Sequence, residues 1–271
     1  MKKAYFLIGA MLLCLMGVHS SFGQAQTSYK LPDAFKFDYQ VTQVITEKQR
    51  SANPDTAQFF YTRSGEYAAT AFAGREGRKG NLLLVLTRDG ICIFFNEHNK
   101  NITIVSVRKL VSDLSGFMKW IRIDSLMSAM RSGTNQKDFK SAKTGNTKTI
   151  FGYSTEEYSV SDRKNQRGSV WFTKVDFNGP ADYIFDAVGA SYLKMMGGGM
   201  SDRPLLQALT RSKTVITEMD LKDSAGARAM QLQTIQIGAI SKTVSTSGFE
   251  VNDYSNMTFP EIFRAEMKNR N

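Results

Sequence analysis

The stretch that decides the fold is residues 82–107, which read LLLVLTRDGICIFFNEHNKNITIVSV. Two apolar runs, 82–87 and 91–95, flank Asp89-Gly90, and an Asp-Gly pair between apolar runs is typical of a hairpin turn. A second turn, rich in asparagine, leads into a third apolar run at 102–107. The stretch therefore predicts a three-stranded antiparallel meander.

Period-two alternation on both sides of this meander predicts further strands. In contrast, residues 131–148 are polar, carry two glycines and five lysines or arginines, and predict a long mobile loop. Near the N-terminus, a strand with one covered face is predicted where apolar side chains alternate with polar ones, at Phe35, Phe37, Tyr39, Val41 and Ile45. The other predicted strands are 57–62, 67–72, 149–153, 156–161, 169–175, 214–219 and 229–237.

A longer period, with apolar residues three and four apart, predicts a few helices. These are 112–130, 181–196, 204–209 and 259–269, and Gly197-Gly198-Gly199 ends the second of them. Neither an internal repeat nor a change in composition divides the chain after residue 34. The fold class predicted is α+β, mainly β. It is a single domain over residues 35–271, with an antiparallel sheet and helices on one face.

The N-terminus predicts an export signal. Lys2 and Lys3 precede an uncharged apolar run that is too short to span a bilayer. Ser21 and Gly23 are the small residues that signal peptidase accepts, so cleavage is predicted after Gly23. Residues 1–23 are then a signal peptide, residues 24–34 an N-terminal lead, and the mature protein is exported to the periplasm or cell envelope. A lipid anchor on Cys14 is disfavoured because leucine precedes it.

The composition excludes several classes of protein. Hydrophobic residues make up 42% and charged residues 22% of the 271, which is ordinary for a globular chain and excludes collagen-like or largely disordered proteins. Removal of Lys2 and Lys3 lowers the formal net charge of +10 by two, so the mature chain stays basic. It also leaves Cys92 as the one cysteine, so an internal disulfide is excluded.

No residue set in the sequence predicts catalysis, a metal site or a cofactor. The mature chain has one histidine, His98, which lies in a predicted turn and cannot build a zinc cluster with a single cysteine. The three glycines at 197–199 lack the Gly-Lys-Ser/Thr of a phosphate loop. Glu156 and Glu157 are adjacent on a strand and therefore point to opposite faces. Nucleic acid is not predicted as a partner, because the basic residues are scattered without an aromatic-basic motif.

Methionine is the one enriched residue type with a chemical implication. The chain has 13, of which Met195, Met196 and Met200 surround the three glycines. Thioethers fill apolar cavities and form adaptable binding surfaces, and they also bind copper(I). Core or cavity lining is the favoured interpretation of the three.

A succession of short motifs suggests a family. Phe151-Gly152-Tyr153 is followed by Glu157-Tyr158-Ser159-Val160 and then by 168–173, GSVWFT. This succession resembles a family of exported bacterial proteins of unknown function, grouped with the LolA/LolB-like outer-membrane lipoprotein carrier fold. The end of the signal peptide resembles those of Bacteroidetes-type bacteria. The resemblance implies a curved antiparallel half-barrel wrapped around a few helices, with an apolar cavity that holds acyl chains in carriers. It implies no catalytic residue.

These observations lead to one main hypothesis and two alternatives. The main hypothesis is a non-enzymatic periplasmic protein that shelters a lipid or a lipoprotein acyl chain in a curved β-sheet. The first alternative is an envelope protein–protein interaction module with a filled core, and the second is an enzyme of unrecognised type. The residues predicted to line the ligand, chosen by strand face or helix position, are Phe37, Tyr39, Trp171, Met195 and Met196.

Overall fold

The secondary structure consists mainly of strands. A computed structural model describes residues 29–47, 54–72, 82–109, 140–161, 167–180, 182–183, 208 and 211–268. Within these residues a helix, α1 (Phe259–Lys268), follows the last strand. The strands are β1 (Ala34–Glu47), β2 (Asp55–Tyr61), β3 (Tyr67–Phe72), β4 (Leu82–Thr87), β5 (Ile91–Asn96), β6 (Asn101–Ser106), β7 (Lys140–Ile150), β8 (Tyr153–Ser161), β9 (Arg167–Lys174), β10 (Thr214–Lys222), β11 (Arg228–Ser245) and β12 (Glu250–Asp253).

All of these strands belong to one 12-stranded sheet. Their order is β12-β6-β5-β4-β3-β2-β1-β11-β10-β9-β8-β7. The sheet is curved and unclosed, and every pairing is antiparallel except that of β12 with β6. The mainly-β prediction is confirmed. Of the helices predicted at 112–130, 181–196 and 204–209, only residues 182, 183 and 208 are described, so a sheet wrapped around helices stays a prediction.

The predicted meander is confirmed as β4, β5 and β6, with Gly90 at a φ of 86° in the first turn. The loop predicted over 131–148 is wrong from residue 140 onward, because β7 begins at Lys140. Most of β7 is exposed, so neither of its faces needs apolar side chains, and the alternation that identifies other strands is missing. β12 was also not predicted, since it has only four residues and pairs in parallel.

The pairing register assigns every strand residue to one of two faces of the sheet. We call the face that carries Tyr61, Cys92 and Val170 the helix face, because α1 packs on it through Ile262. The face that carries Phe60, Val85 and Trp171 is the opposite face. Directly paired residues in an antiparallel sheet share a face, and successive residues along a strand alternate.

The opposite face is sealed at its β2–β6 end by a filled core. Phe60, Ala69, Val85, Ile93 and Ile104 form one row across five strands there. Phe35 and Phe37, from the start of β1, pack onto this row together with Tyr29 and Leu31 of the N-terminal segment. The backbone N–H of Tyr29 also donates to Asp253 at 3.0 Å, which fixes that segment at the sheet edge.

Candidate ligand-binding face

A row of apolar residues continues the helix face across the half of the sheet that lies beyond β1, although Glu156, which pairs with Phe172, lies on the same face. Leu232, Met219, Val170 and Tyr158 follow one another in register from β11 to β8. Tyr158 and Val170 are buried, and Ala208 packs beside them. This row crosses four strands without a charged residue. Because Tyr158, Val170 and Leu232 are already buried by the protein, the half-buried Met219 is the member of the row that further methylene groups could cover.

A stacked aromatic cluster lies on the helix face of β1 and β2, separate from this row. The Phe177 ring lies between those of Tyr39 and Tyr61, with centroid distances of 4.8 Å and 5.0 Å. Tyr183 lies 6.2 Å from Tyr61, centroid to centroid, and is itself buried. Phe177 reaches this position because the chain continues from β9 with Val175 and Phe177 two residues apart, so that both enter the same core. Offset stacking of this kind adds stability beyond the apolar area that is buried.

The phenols of Tyr61 and Tyr183 are uncharged at any physiological pH. Burial raises the pKa of the Tyr61 hydroxyl, and burial likewise raises the pKa of Tyr183 to about 12. Desolvation disfavours the phenolate, which would have to lie among aromatic rings. Tyr61 and Tyr183 are therefore neutral groups within this cluster.

The opposite face of the same strands is polar. Trp171 pairs with Glu218 on one side and Glu157 on the other, so these three side chains point away from Val170 and Phe172. The Lys148 ammonium lies 4.1 Å from the centre of the Trp171 ring and 2.6 Å from a Glu218 carboxylate oxygen. A tryptophan within an apolar stretch of sequence is thus covered by a lysine through a cation–π contact.

The structure separates the residues that the sequence predicts as ligand-lining. Tyr39 lies on the helix face, in the aromatic cluster. Phe37 lies in the filled core of the opposite face, and Trp171 lies on the polar part of that face. Met195 and Met196 lie outside the described residues. Sequence reasoning missed Tyr61, Phe177 and Tyr183. The one indication of this cluster in the sequence was the aromatic residue Phe177, two positions before Gly179-Pro180.

The thiol of Cys92 should be unreactive in the folded protein. Burial raises its pKa to about 12, so at pH 8 the reactive thiolate is depleted by about a thousandfold relative to an ordinary cysteine. We expect a neutral thiol reagent to modify the native protein only after guanidinium is added, and the mature monomer to migrate identically with and without reductant. Rapid labelling of native protein, or a reductant-dependent dimer, would contradict this burial.

The described residues carry no feature of a metal centre. Within them, no three His, Cys, Asp or Glu side chains come close enough to hold an ion. His98 lies in the β5–β6 turn, where its backbone N–H donates to the Asn96 side-chain oxygen at 3.1 Å. No helix in the described part of the chain is long and apolar enough to cross a membrane.

Comparison with known proteins gives structural likenesses alone. No protein family and no curated protein matches the sequence. The solved structure of PNGF-II is 10% identical with a TM-score of 0.39, and the match covers 86% of this chain and 33% of that one. The MucA/MucB complex of Pseudomonas aeruginosa is 11% identical, with a TM-score of 0.33 and coverages of 74% and 51%. This chain thus spans about a third of the PNGF-II chain and about half of the matched chain in the MucA/MucB complex.

A LolA superfamily protein from Nitrosomonas europaea is also among the matched structures. It is 8% identical with a TM-score of 0.25, and the match covers 77% of this chain and 87% of that one. At these TM-scores the likenesses say nothing about what the chain binds.

Proposed function

We propose that this chain is an exported, non-enzymatic protein of the cell envelope that shelters an apolar ligand against the helix face of its sheet. The ligand would be a lipid or the acyl chain of a lipoprotein. The observation that carries the proposal is the contrast between the two faces of β8–β11. One carries the apolar row from Leu232 to Tyr158, with Glu156 beside it, and the other carries Glu157 and Glu218, the latter ion-paired with Lys148 of β7.

Binding in this proposal depends on burial of methylene groups. Each CH₂ removed from water contributes about 0.8 kcal/mol, so an acyl chain gains affinity from length rather than from specific contacts. The neutral phenols of Tyr61 and Tyr183 avoid placing a charge beside the chain. Met195 and Met196, as adaptable thioethers, are proposed to complete the lining.

A second candidate function is an envelope protein-interaction module with a filled core. It is favoured by the core on the opposite face, where Phe60, Val85 and Ile93 are completely buried by the protein itself. The apolar side chains of that half of the sheet are buried by other residues of the protein, so their burial does not require an acyl ligand. The two candidates differ in whether delipidated protein takes up an acyl chain.

Delipidated protein should bind a dansyl-labelled fatty acid saturably at micromolar concentration, which corresponds to a binding free energy of about −8 kcal/mol. Replacing Met195 and Met196 together by aspartate should abolish uptake, because carboxylates would enter the apolar lining, while the far-ultraviolet circular dichroism stays unchanged. The measurement is a fluorescence titration, supported by mass spectrometry of lipids that co-purify with the protein.

The control for this titration introduces one carboxylate at an exposed position elsewhere. Val251 is 39% exposed on β12, so Val251→Asp should leave uptake unchanged. If delipidated wild-type protein shows no saturable uptake of any fatty acid tested, the carrier proposal fails and the interaction module replaces it.

A further inference from the structure

Among the described residues, β7 forms a long edge of the sheet with which no further strand is paired. It pairs with β8 on one side and ends the strand order on the other, whereas the opposite edge, β12, has only four residues. β7 has 11 residues, most of them exposed and none of them proline. An edge strand of this length presents outward-pointing N–H and C=O groups with which a further strand could pair.

The edge is divided into two straight arms by a bulge at Gly145. Register with β8 is regular over Lys140–Lys143 and again over Thr147–Ile150, and it shifts between them. Gly145 has a φ of 87°, and Thr144 and Asn146 donate to the same Glu157 carboxylate oxygen at 2.9 Å and 2.7 Å. Glu157 thereby fixes the bulge, at which β7 bends, so an added strand would pair with the four-residue arms on either side of the bulge and not across it.

The charge along this edge is positive. β7 carries Lys140, Lys143 and Lys148 and has no acidic residue. The three outermost strands, β7, β8 and β9, together carry five lysines and arginines and two glutamates. Lys143 and Lys148 contact Glu156 and Glu218, yet their side chains remain 48% and 37% exposed. A partner strand with carboxylates would meet the Lys140 ammonium and the half-exposed ammonium groups of Lys143 and Lys148, which already contact glutamates.

Lysines on an edge strand also exclude one class of partner. Two copies of β7 placed side by side would bring like charges together, which is the usual way in which natural sheets prevent self-association. The same lysines favour an extended segment of opposite charge, because pairing by strand addition supplies the main-chain hydrogen bonds and the side chains select the sequence. The charge pattern thus distinguishes an acidic peptide from a second copy.

We propose that β7 is a docking edge for an acidic, extended polypeptide segment, which adds to the sheet as a further strand. The interaction is independent of the apolar helix face, since it uses backbone groups of the edge. It would let the protein engage an acidic strand of a partner while a ligand occupies the helix face.

The test uses a capped, fluorescein-labelled decapeptide of alternating glutamate and valine, titrated with the mature chain by fluorescence anisotropy. We expect saturable binding that weakens about tenfold or more in 0.5 M salt. A lysine–valine decapeptide should bind at least about tenfold more weakly, since like charges repel along a paired strand. A glutamate–valine peptide N-methylated at every second residue should lose binding, because it cannot complete the hydrogen bonds of an added strand.

Protein variants locate the site. Lys140→Glu, which disturbs neither of the two ion pairs of β7, should weaken binding, and Lys140→Glu with Lys143→Glu should weaken it further. The matched control reverses two exposed lysines away from the edge, Lys36→Glu with Lys222→Glu, and should bind as the wild type does. Circular dichroism verifies that each variant is folded.

Four outcomes would overturn the proposal. They are the absence of saturable binding, equal binding of the N-methylated peptide, equal loss in the Lys36/Lys222 control, and a dimer of the wild-type chain that Lys140→Glu disrupts. Equal binding of the N-methylated peptide would mean that the peptide is attracted to the protein by charge alone. The last would assign the edge to a second copy.

Discussion

Replacing Phe37 by alanine should lower the free energy of unfolding by about 3–5 kcal/mol, the usual cost of deleting a buried phenylalanine ring. Phe37 is 2% exposed, and its ring centroid lies 5.7 Å from that of Phe60 and 5.5 Å from that of Tyr67. The Lys242 ammonium covers the Phe60 ring at 3.9 Å. Truncation would therefore leave a cavity beside a charge, and chemical denaturation of delipidated protein measures the loss.

The same variant tests whether Phe37 lines a ligand, as the sequence predicts. A residue that touches only a ligand would weaken fatty-acid uptake and leave the delipidated protein as stable as the wild type. We expect the reverse, because the contacts of Phe37 are supplied by the protein. The control is Ile235→Ala, a side chain 49% exposed on β11, which should change stability by no more than about 0.5 kcal/mol.

The strands that sequence predicts well are those whose partners are close in the chain. β4, β5 and β6 are apolar runs separated by short turns, and Asp89-Gly90 fixes the first connection. The β10–β11 hairpin was predicted for the same reason, although β11 continues to Ser245 because it also pairs with the whole of β1. That extension depends on a contact between distant parts of the chain, which a local pattern cannot reveal.

The candidate site was predicted only in part, for a related reason. Alternation along β1 gives Phe37 and Tyr39 the same side, yet they enter different cores because the register with β11 shifts between them. Val170, Trp171 and Phe172 are three successive apolar residues, so hydropathy alone does not say which of them faces water. Lys148, 23 positions earlier in the chain, decides it by covering Trp171.

Replacing Gly168 by alanine should destabilise the protein by about 3 kcal/mol, at the upper end of the range for overpacking. A Cβ built on Gly168 would lie 2.1 Å from the carbonyl oxygen of Asp220 and 3.0 Å from the Cα of Leu221. Both are backbone atoms of the adjacent strand β10, so no side-chain rotation can relieve the contact. β9 and β10 would have to separate where Gly168 pairs with Leu221.

The matched control for this substitution is Gly238→Ala on β11. A Cβ there would meet nothing within 4 Å, and the φ of this glycine lies outside the left-handed region. Alanine should therefore leave stability unchanged or raise it by up to about 1 kcal/mol, because it restricts the unfolded chain. Equal unfolding midpoints for the two variants would contradict the close approach of β9 to β10. That approach positions Val170 and Met219 side by side on the helix face, so a stable Gly168→Ala would also weaken the case for the apolar row there.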